Sequence, residues 1–319
     1  MADVRVWSMP MRTRFRGIDR RAGVLLHGAA GWGEWSLFED YSDAECLPWL
    51  RAATEAADGS WPAAVRDRVP VNVTVPAVGP EQAAEVVRAS AGCRTAKVKV
   101  AEPGQPESAD RERVAAVRDA LGPGGRVRID VNGGWDVATA VRRTRELDRA
   151  AGGLEYVEQP CATVEELAAV RRQVDVPVAA DESIRRAEDP LRVARLEAAD
   201  VAVLKVQPLG GVAACLRVAE DIGLPVVVSS ALESSVGIAA GLALAAALPE
   251  LPYACGLATL ALLEGDVTSS PLTVLDGMLP VVRPEPDLLD TVAADDETAA
   301  RWTDRLRRVE ALAAGGRRS

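Results

Sequence analysis

The chain has 319 residues, 48% of them hydrophobic, and a formal net charge of −10. That length suits a large α/β barrel with an added element, or two domains, and the apolar fraction can fill a sizeable core. An acidic chain repels phosphate backbones, so nucleic acid is excluded as the expected partner, and no apolar run reaches the roughly 18 residues that would suggest a membrane span.

Residues 1–70 read as a small α+β unit. VRVWSMP and GVLLHGAAGWGEWS carry the pattern of a strand meander, and SDAECLPWLRAATEAA that of a helix. The opening residues lack a basic segment followed by a long apolar one, so no secretory leader is expected. The five cysteines (Cys46, Cys93, Cys161, Cys215, Cys255) are scattered and form no CxxC pair. Free, buried thiols in a reducing cytoplasm are the expectation. No long apolar surface stretch stands out, which points to a monomer.

From Val71 the pattern changes. Short β-branched runs alternate with Ala-rich amphipathic segments, the runs starting at Val71, Thr95, Arg126, Leu154, Val176, Val201, Leu224 and Cys255. Their spacing is that of one strand, one helix and two short loops. Apolar runs flanked by helices predict parallel strands buried on both faces. Eight in series over residues 71–260 predict a closed barrel. A doubly wound open sheet is the rival, but its first turn would carry GxGxxG, and VPAVGPEQ does not. Thr163 is placed to cap the helix TVEELAAVRRQV. SVGIAAGLALAAALP is nearly all apolar and is expected to be buried between the barrel and residues 1–70. The tail, 261–319, predicts a strand (TVLDGMLPVV) and a helix that pack back on the N-terminal unit.

In such barrels chemistry sits at the C-terminal strand ends. Those ends read Lys97-Val98-Lys99, Asp130-Val131-Asn132, Glu158-Gln159-Pro160, Asp181-Glu182-Ser183, Lys205 and Ser229-Ser230. Carboxylates from three adjacent strands would repel one another, and burial raises that cost. A hard divalent cation resolves the conflict, so Asp130, Glu158 and Asp181 are the candidate ligands of Mg²⁺. Lys97 and Lys99, two apart on one strand, point to the same face. Their like charges beside a dication are expected to depress a lysine pKa and so supply a base. Lys205 comes from the opposite side. The reaction class is abstraction of a proton alpha to a carboxylate, with the metal stabilising the enediolate. The only histidine, His27, lies in the meander, and Cys161 and Cys255 lack a partner histidine, so neither histidine nor thiol catalysis is expected.

The motifs KVK, DVN, EQP, DES and LKVQPLGG (Leu204 to Gly211) occur in an order and spacing that resemble the enolase superfamily, in its muconate-lactonizing subgroup. Within it FRGIDRRAGVLL, GWGEWSLFEDY, SSALESSVG and GLATL resemble the o-succinylbenzoate synthase family. The resemblance covers essentially the whole chain. It implies an α/β fold, a modified TIM (β/α)8-type barrel, (β/α)7β, with an α+β capping domain from both termini: 1–70 completed by 261–319. It implies dehydration of 2-succinyl-6-hydroxy-2,4-cyclohexadiene-1-carboxylate to o-succinylbenzoate, a menaquinone-pathway step, with Mg²⁺ or Mn²⁺ as its substitute. Lys99 would be the base that then protonates the departing hydroxyl. Lys205 would support the enediolate across the ring, and Lys97 would tune Lys99 and touch the carboxylate. Arg128, Asn132, Ser229, Ser230 and Gly256 are the candidate substrate-binding residues. For Ser229, Ser230 and Gly256 plain packing is the alternative, and for Arg128 a supporting bond to Lys99 or to a carboxylate. Rival readings are an N-acylamino acid racemase or another lysine–lysine epimerase or cycloisomerase, a barrel that binds metal without catalysis, and a metal-free glycosidase.

Overall fold

The computed structural model describes residues 3–15, 17–187 and 189–315. The chain opens with β1 (Val4–Phe15), β2 (Ile18–Gly28) and β3 (Gly31–Trp35), an antiparallel meander in that order. Helix α1 (Leu47–Asp58) lies against β3 so closely that a Cβ on Gly33 would stand 2.0 Å from the Ala53 carbonyl oxygen. Only glycine permits that approach. The helix starts at Leu47, later than the sequence pattern suggests. Ser42 spends its backbone N–H and hydroxyl on Glu45, both at 2.8 Å, which holds residues 42–46 in turns.

After β4 (Arg68–Pro70) come seven parallel strands: β5 (Val73–Val75), β6 (Thr95–Lys99), β7 (Arg126–Asp130), β8 (Leu154–Glu158), β9 (Val178–Ala180), β10 (Val201–Leu204) and β11 (Val226–Val228). Each is hydrogen-bonded to the next in chain order. Helical segments connect them: α2 (Pro80–Arg88), α3 (Glu107–Leu121), α4 (Val137–Ala151), α5 (Val164–Arg171), α6 (Glu182–Arg185), α7 (Arg192–Arg195), α8 (Val206–Leu209) and α9 (Val212–Ile222), and α10 (Ser235–Ala247) follows β11. Thr163 caps α5 as expected, in a reciprocal capping box with Glu166.

The expected eighth strand is only two residues long. Cys255 pairs with Val71 and Gly256 with Ser229, both in parallel, which joins the two edges of the sheet. On one side the Asn72 N–H donates to the Cys255 carbonyl at 2.9 Å, and on the other the Gly256 N–H donates to Val228 at 2.8 Å. The backbones meet so tightly that a Cβ on Gly256 would lie 2.6 Å from Ser229 Oγ. Beyond Gly256 the chain passes into a 3₁₀ turn at Thr259–Leu262.

The tail returns to the start. β12 (Met278–Pro280) pairs antiparallel with β4, and α11 (Asp296–Gly315) packs on α1 and β1. Trp302 of α11 meets Trp35 of β3 edge to face at 5.6 Å. Two main apolar clusters result, one around the barrel and one among β1–β3, α1 and α11. No helix among the described residues is long and apolar enough to cross a membrane. All five cysteines are free and buried.

Helix α10 is buried along nearly its whole length and contacts β3 and β11. Its N-terminus receives Glu34 of β3, which accepts from the Ser234 N–H at 3.2 Å and the Gly237 N–H at 3.1 Å. An anion suits a helix N-terminus. Burial nevertheless pushes the Glu34 carboxyl up to about 7, against the pull of the Ser234 and Ser36 hydroxyls. A carboxyl raised on folding contributes stability that is full below its unfolded value, here 4.5, and is lost as pH rises through about 7. Denaturant titrations at pH 5 and pH 8 should show that loss, on the order of 3 kcal/mol. Glu34→Gln should reduce the slope by Glu34's share, leaving that of other raised carboxyls such as Glu158, and an equal pH slope in the variant refutes the assignment.

Candidate active site

Alternation along the strands decides what faces the barrel interior. On β6 the inward positions hold Lys97 and Lys99, on β7 Arg128 and Asp130, and on β8 Tyr156 and Glu158. Just past β9 and β10 come Asp181 and Lys205, and past β11 Ser229. Tyr156, Ala179, Val201, Val203 and Val227 fill the interior beneath them. The mouth is therefore ionic, and the layer beneath it is mostly apolar, with the buried Arg128 as its charged member.

The ionic groups are paired across strands. Lys97 Nζ lies 3.0 Å from Glu158 Oε1 and 3.3 Å from Asp130 Oδ2, so one ammonium bridges two carboxylates. Lys99 Nζ donates to Asp130 Oδ2 at 2.5 Å and to Asn132 Oδ1 at 2.6 Å. Lys205 Nζ donates to Asp181 Oδ2 at 2.6 Å, and Arg185 Nε donates to Asp181 Oδ1 at 3.0 Å. Gln159 ties two strand ends together by accepting from the Asp181 N–H at 3.0 Å and the Ser183 N–H at 3.1 Å. Asn132 and Gln159, each directly or nearly after a carboxylate, have φ of 51° and 42°. Non-glycine residues in that region mark strained sites.

The electrostatics follow from these neighbours. Burial alone would raise Asp130, but Lys99 and Lys97 outweigh it and hold the carboxyl well below its usual range. Burial would likewise raise Asp181, but Arg185 and Lys205 outweigh it and hold that carboxyl below its usual range. Glu158 goes the other way, up to about 7, through burial and the charges of Asp130 and Asp181, with Lys97 pulling against them. Burial draws Lys205 down, with Arg185 and Lys97 adding to it and Asp181 resisting. Burial would lower Lys97, but Glu158 at 3.0 Å and Asp130 at 3.3 Å hold it above the ordinary lysine range.

The three carboxylates stand on successive strands and feel one another. Among the described residues, however, they do not form a ready-made cluster for an ion. Lys97 sits between two of them and Lys205 on the third. Their chemistry still suits a hard divalent cation: three buried oxygen donors, one of which is pushed toward neutrality by burial and by the charges of the other two. A dication would relieve that repulsion.

A cavity of about 30 Å³ adjoins the lysines, lined also by Phe15, Phe38, Thr74, Ser229, Ser230, Ala231, Leu232 and Thr259. Ser229 and Ser230 are thus brought to the site, and Ser230 Oγ bonds Thr259 Oγ1 at 2.6 Å. Gly256 meets Ser229 through its backbone and lines the closure and not the cavity. Arg128 is not brought to the site. It lies a layer lower and donates to Glu155, to Asn72 Oδ1 at 3.2 Å and to the Ala254 carbonyl at 2.7 Å. Its guanidinium also lies against Tyr156 at 4.6 Å. Neither a lysine nor a ligand carboxylate is among these partners, because position 128 is one inward step nearer the barrel floor than Asp130.

Thr74, Thr259 and Arg185 escaped the sequence reading. Strand parity with Lys97, its β6 partner, was a usable signal for Thr74. The chain's two phenylalanines, Phe15 and Phe38, both reach the cavity from the N-terminal segment. Nothing in their sequence neighbourhood announces that.

With this geometry in view, similarity to known proteins is informative. The family model described as enolase C-terminal domain-like matches residues 80–286, and the one described as enolase N-terminal domain-like matches residues 6–57. The solved muconate lactonizing enzyme of Pseudomonas putida shares the fold, with a TM-score of 0.76, 20% identity and coverage of 92% of this chain and 99% of that one. An o-succinylbenzoate synthase of Thermobifida fusca is 67% identical over 302 residues, 95% of this chain and 94% of its own length. One from Mycobacterium tuberculosis is 55% identical over 309 residues, 96% of this chain and 93% of its own. The chain belongs to the enolase superfamily, and within it to the family of the o-succinylbenzoate synthases. Membership implies a divalent metal.

Proposed function

We propose that the chain is a hydro-lyase that removes water from 2-succinyl-6-hydroxy-2,4-cyclohexadiene-1-carboxylate to give o-succinylbenzoate, and that it does so with Mg²⁺. The observation that carries this reading is the pair of lysines, Lys99 and Lys205, facing one small cavity from opposite sides above three buried carboxylates. Relatives at 67% and 55% identity bear the same activity in their names.

Asp130, Glu158 and Asp181 would hold the cation. When bound, it would neutralise the negative charge that builds on the substrate carboxylate. Lys99, as the free amine, takes the α proton. It then returns that proton to the departing hydroxyl, so that water leaves and the ring becomes aromatic. Asn132 orients Lys99 through the 2.6 Å bond. Lys205 sets a positive charge against the opposite ring face. Lys97, held by Glu158, tethers the substrate carboxylate. Ser229 and Ser230 receive the succinyl arm, and the Gly256 backbone shapes that side. Arg128 supports the barrel floor. In this reading residues 1–70 with 261–319 form the cap and 71–260 the catalytic barrel. The protein works as a cytoplasmic monomer on a small carboxylate, and Mn²⁺ can replace Mg²⁺.

The deciding assay follows the diene absorbance of the cyclohexadiene carboxylate with purified protein, in Mg²⁺ and in EDTA. Rapid loss of absorbance that EDTA abolishes is expected. No turnover in Mg²⁺ overturns the substrate assignment and favours the racemase. Turnover that survives EDTA overturns the metal.

A further inference from the structure

Arg21 of β2 is 2% exposed. Its guanidinium donates to five backbone carbonyls: Leu37 at 2.8 Å, Leu232 and Ala231 each at 3.1 Å, Ala22 at 3.2 Å, and Ser36. The Phe38 ring lies 4.4 Å from it. Three of the residues it touches, Phe38, Ala231 and Leu232, are walls of the cavity beside the lysines. One buried side chain thus joins the segment after β3 to the loop after β11.

Leu232 has φ of 65°, a region that bulky residues rarely adopt and that persists only where the surroundings impose it. The bond from Arg21 Nε to the Leu232 carbonyl is one such imposition. The Leu232 N–H also donates to Ser230 Oγ at 3.3 Å, which links the strained residue to the cavity's hydroxyl lining. At about 30 Å³ the cavity is far smaller than the roughly 300 Å³ of a ligand-sized pocket, so small shifts of these walls decide what is admitted.

We propose that Arg21 is a positioning residue that latches the wall of the active-site cavity, setting how tightly the substrate's apolar body is held while taking no part in proton transfer. The substrate in this statement rests on the proposed function. The latch itself rests on the carbonyl contacts alone.

Two readouts test it in Arg21→Lys and Arg21→Met. The first is kinetic. KM for the cyclohexadiene carboxylate should rise about tenfold or more, with kcat within a few-fold and Mg²⁺ affinity unchanged. Leu232→Ala, which keeps the buried charge, should raise KM similarly, and the Arg21→Lys, Leu232→Ala double variant should be little worse than either single one. Unchanged KM in folded variants, or simple additivity, overturns the proposal. The second readout is amide hydrogen exchange of the peptide spanning 229–234, which needs no substrate. Protection there should fall at least tenfold in Arg21→Lys while β6 to β8 keep theirs, and unchanged protection overturns the latch. If the wild type fails to turn over the substrate, the functional reading falls, and the exchange result still decides the latch.

Discussion

Lys99→Ala is expected to lower kcat by about 10²–10⁴-fold, the usual worth of a positioned general base, and to leave Mg²⁺ affinity within a few-fold of wild type. The reason lies in how the charges are shared. Asp130 takes its shortest ion pair from Lys99, at 2.5 Å, but keeps Lys97 at 3.3 Å when Lys99 is gone. The buried carboxylate therefore retains a cation partner, and the fold should survive. Lys205→Ala should cost turnover on a similar scale for a different reason, the loss of a charge across the ring. Measuring kcat by the diene assay and Mg²⁺ binding by calorimetry on the same preparations separates chemistry from ligation. Near-full turnover in Lys99→Ala removes it as the base. Loss of Mg²⁺ binding in that variant means that Lys99 supports the carboxylates and is not the reacting group.

The barrel was legible because its strands are short, β-branched and evenly spaced, and because parallel pairing demands a helix between each pair. The period failed where the physics changes. The run from Cys255 looks like any other strand, yet it pairs for two residues only, since it closes the barrel instead of extending the sheet. The ionic residues were legible because a lysine or aspartate in an apolar run is costly unless it is paired. Their protonation was not. Whether Lys97 is depressed by a neighbouring lysine or raised by two carboxylates depends on distances of about 3 Å that strand parity cannot supply. Arg128 shows the limit of position counting: two residues from Asp130 on the same face, it belongs to a different layer. The cavity walls were least legible. Phe15 comes from the meander and Phe38 from the segment after it, and only tertiary packing brings them to the lysines, with Arg21 behind Phe38.

Asp181→Ala should carry the largest stability cost of any change at the site. Asp181 is fully buried and joins Lys205 at 2.6 Å to Arg185 at 3.0 Å. Without it, Arg185 still pairs with Glu182 at 2.6 Å and bonds the Tyr41 hydroxyl. Lys205, by contrast, loses the carboxylate that its ammonium contacts and becomes a buried charge facing Arg185 and Lys97, both of which act against its protonation. Breaking one side of a buried pair in this way costs about 3–5 kcal/mol. Replacing both sides with apolar groups is often close to neutral. Asp181→Ala combined with Lys205→Met should therefore recover most of the stability lost in Asp181→Ala alone, measured by denaturant titration in EDTA so that only the ion pairs are read. Mg²⁺ binding should be lost in the single and the double variant alike. A double variant no more stable than the single one would show that the cost is packing around residue 181 and not the stranded ammonium. Undiminished Mg²⁺ affinity in either would remove Asp181 from the ligand set.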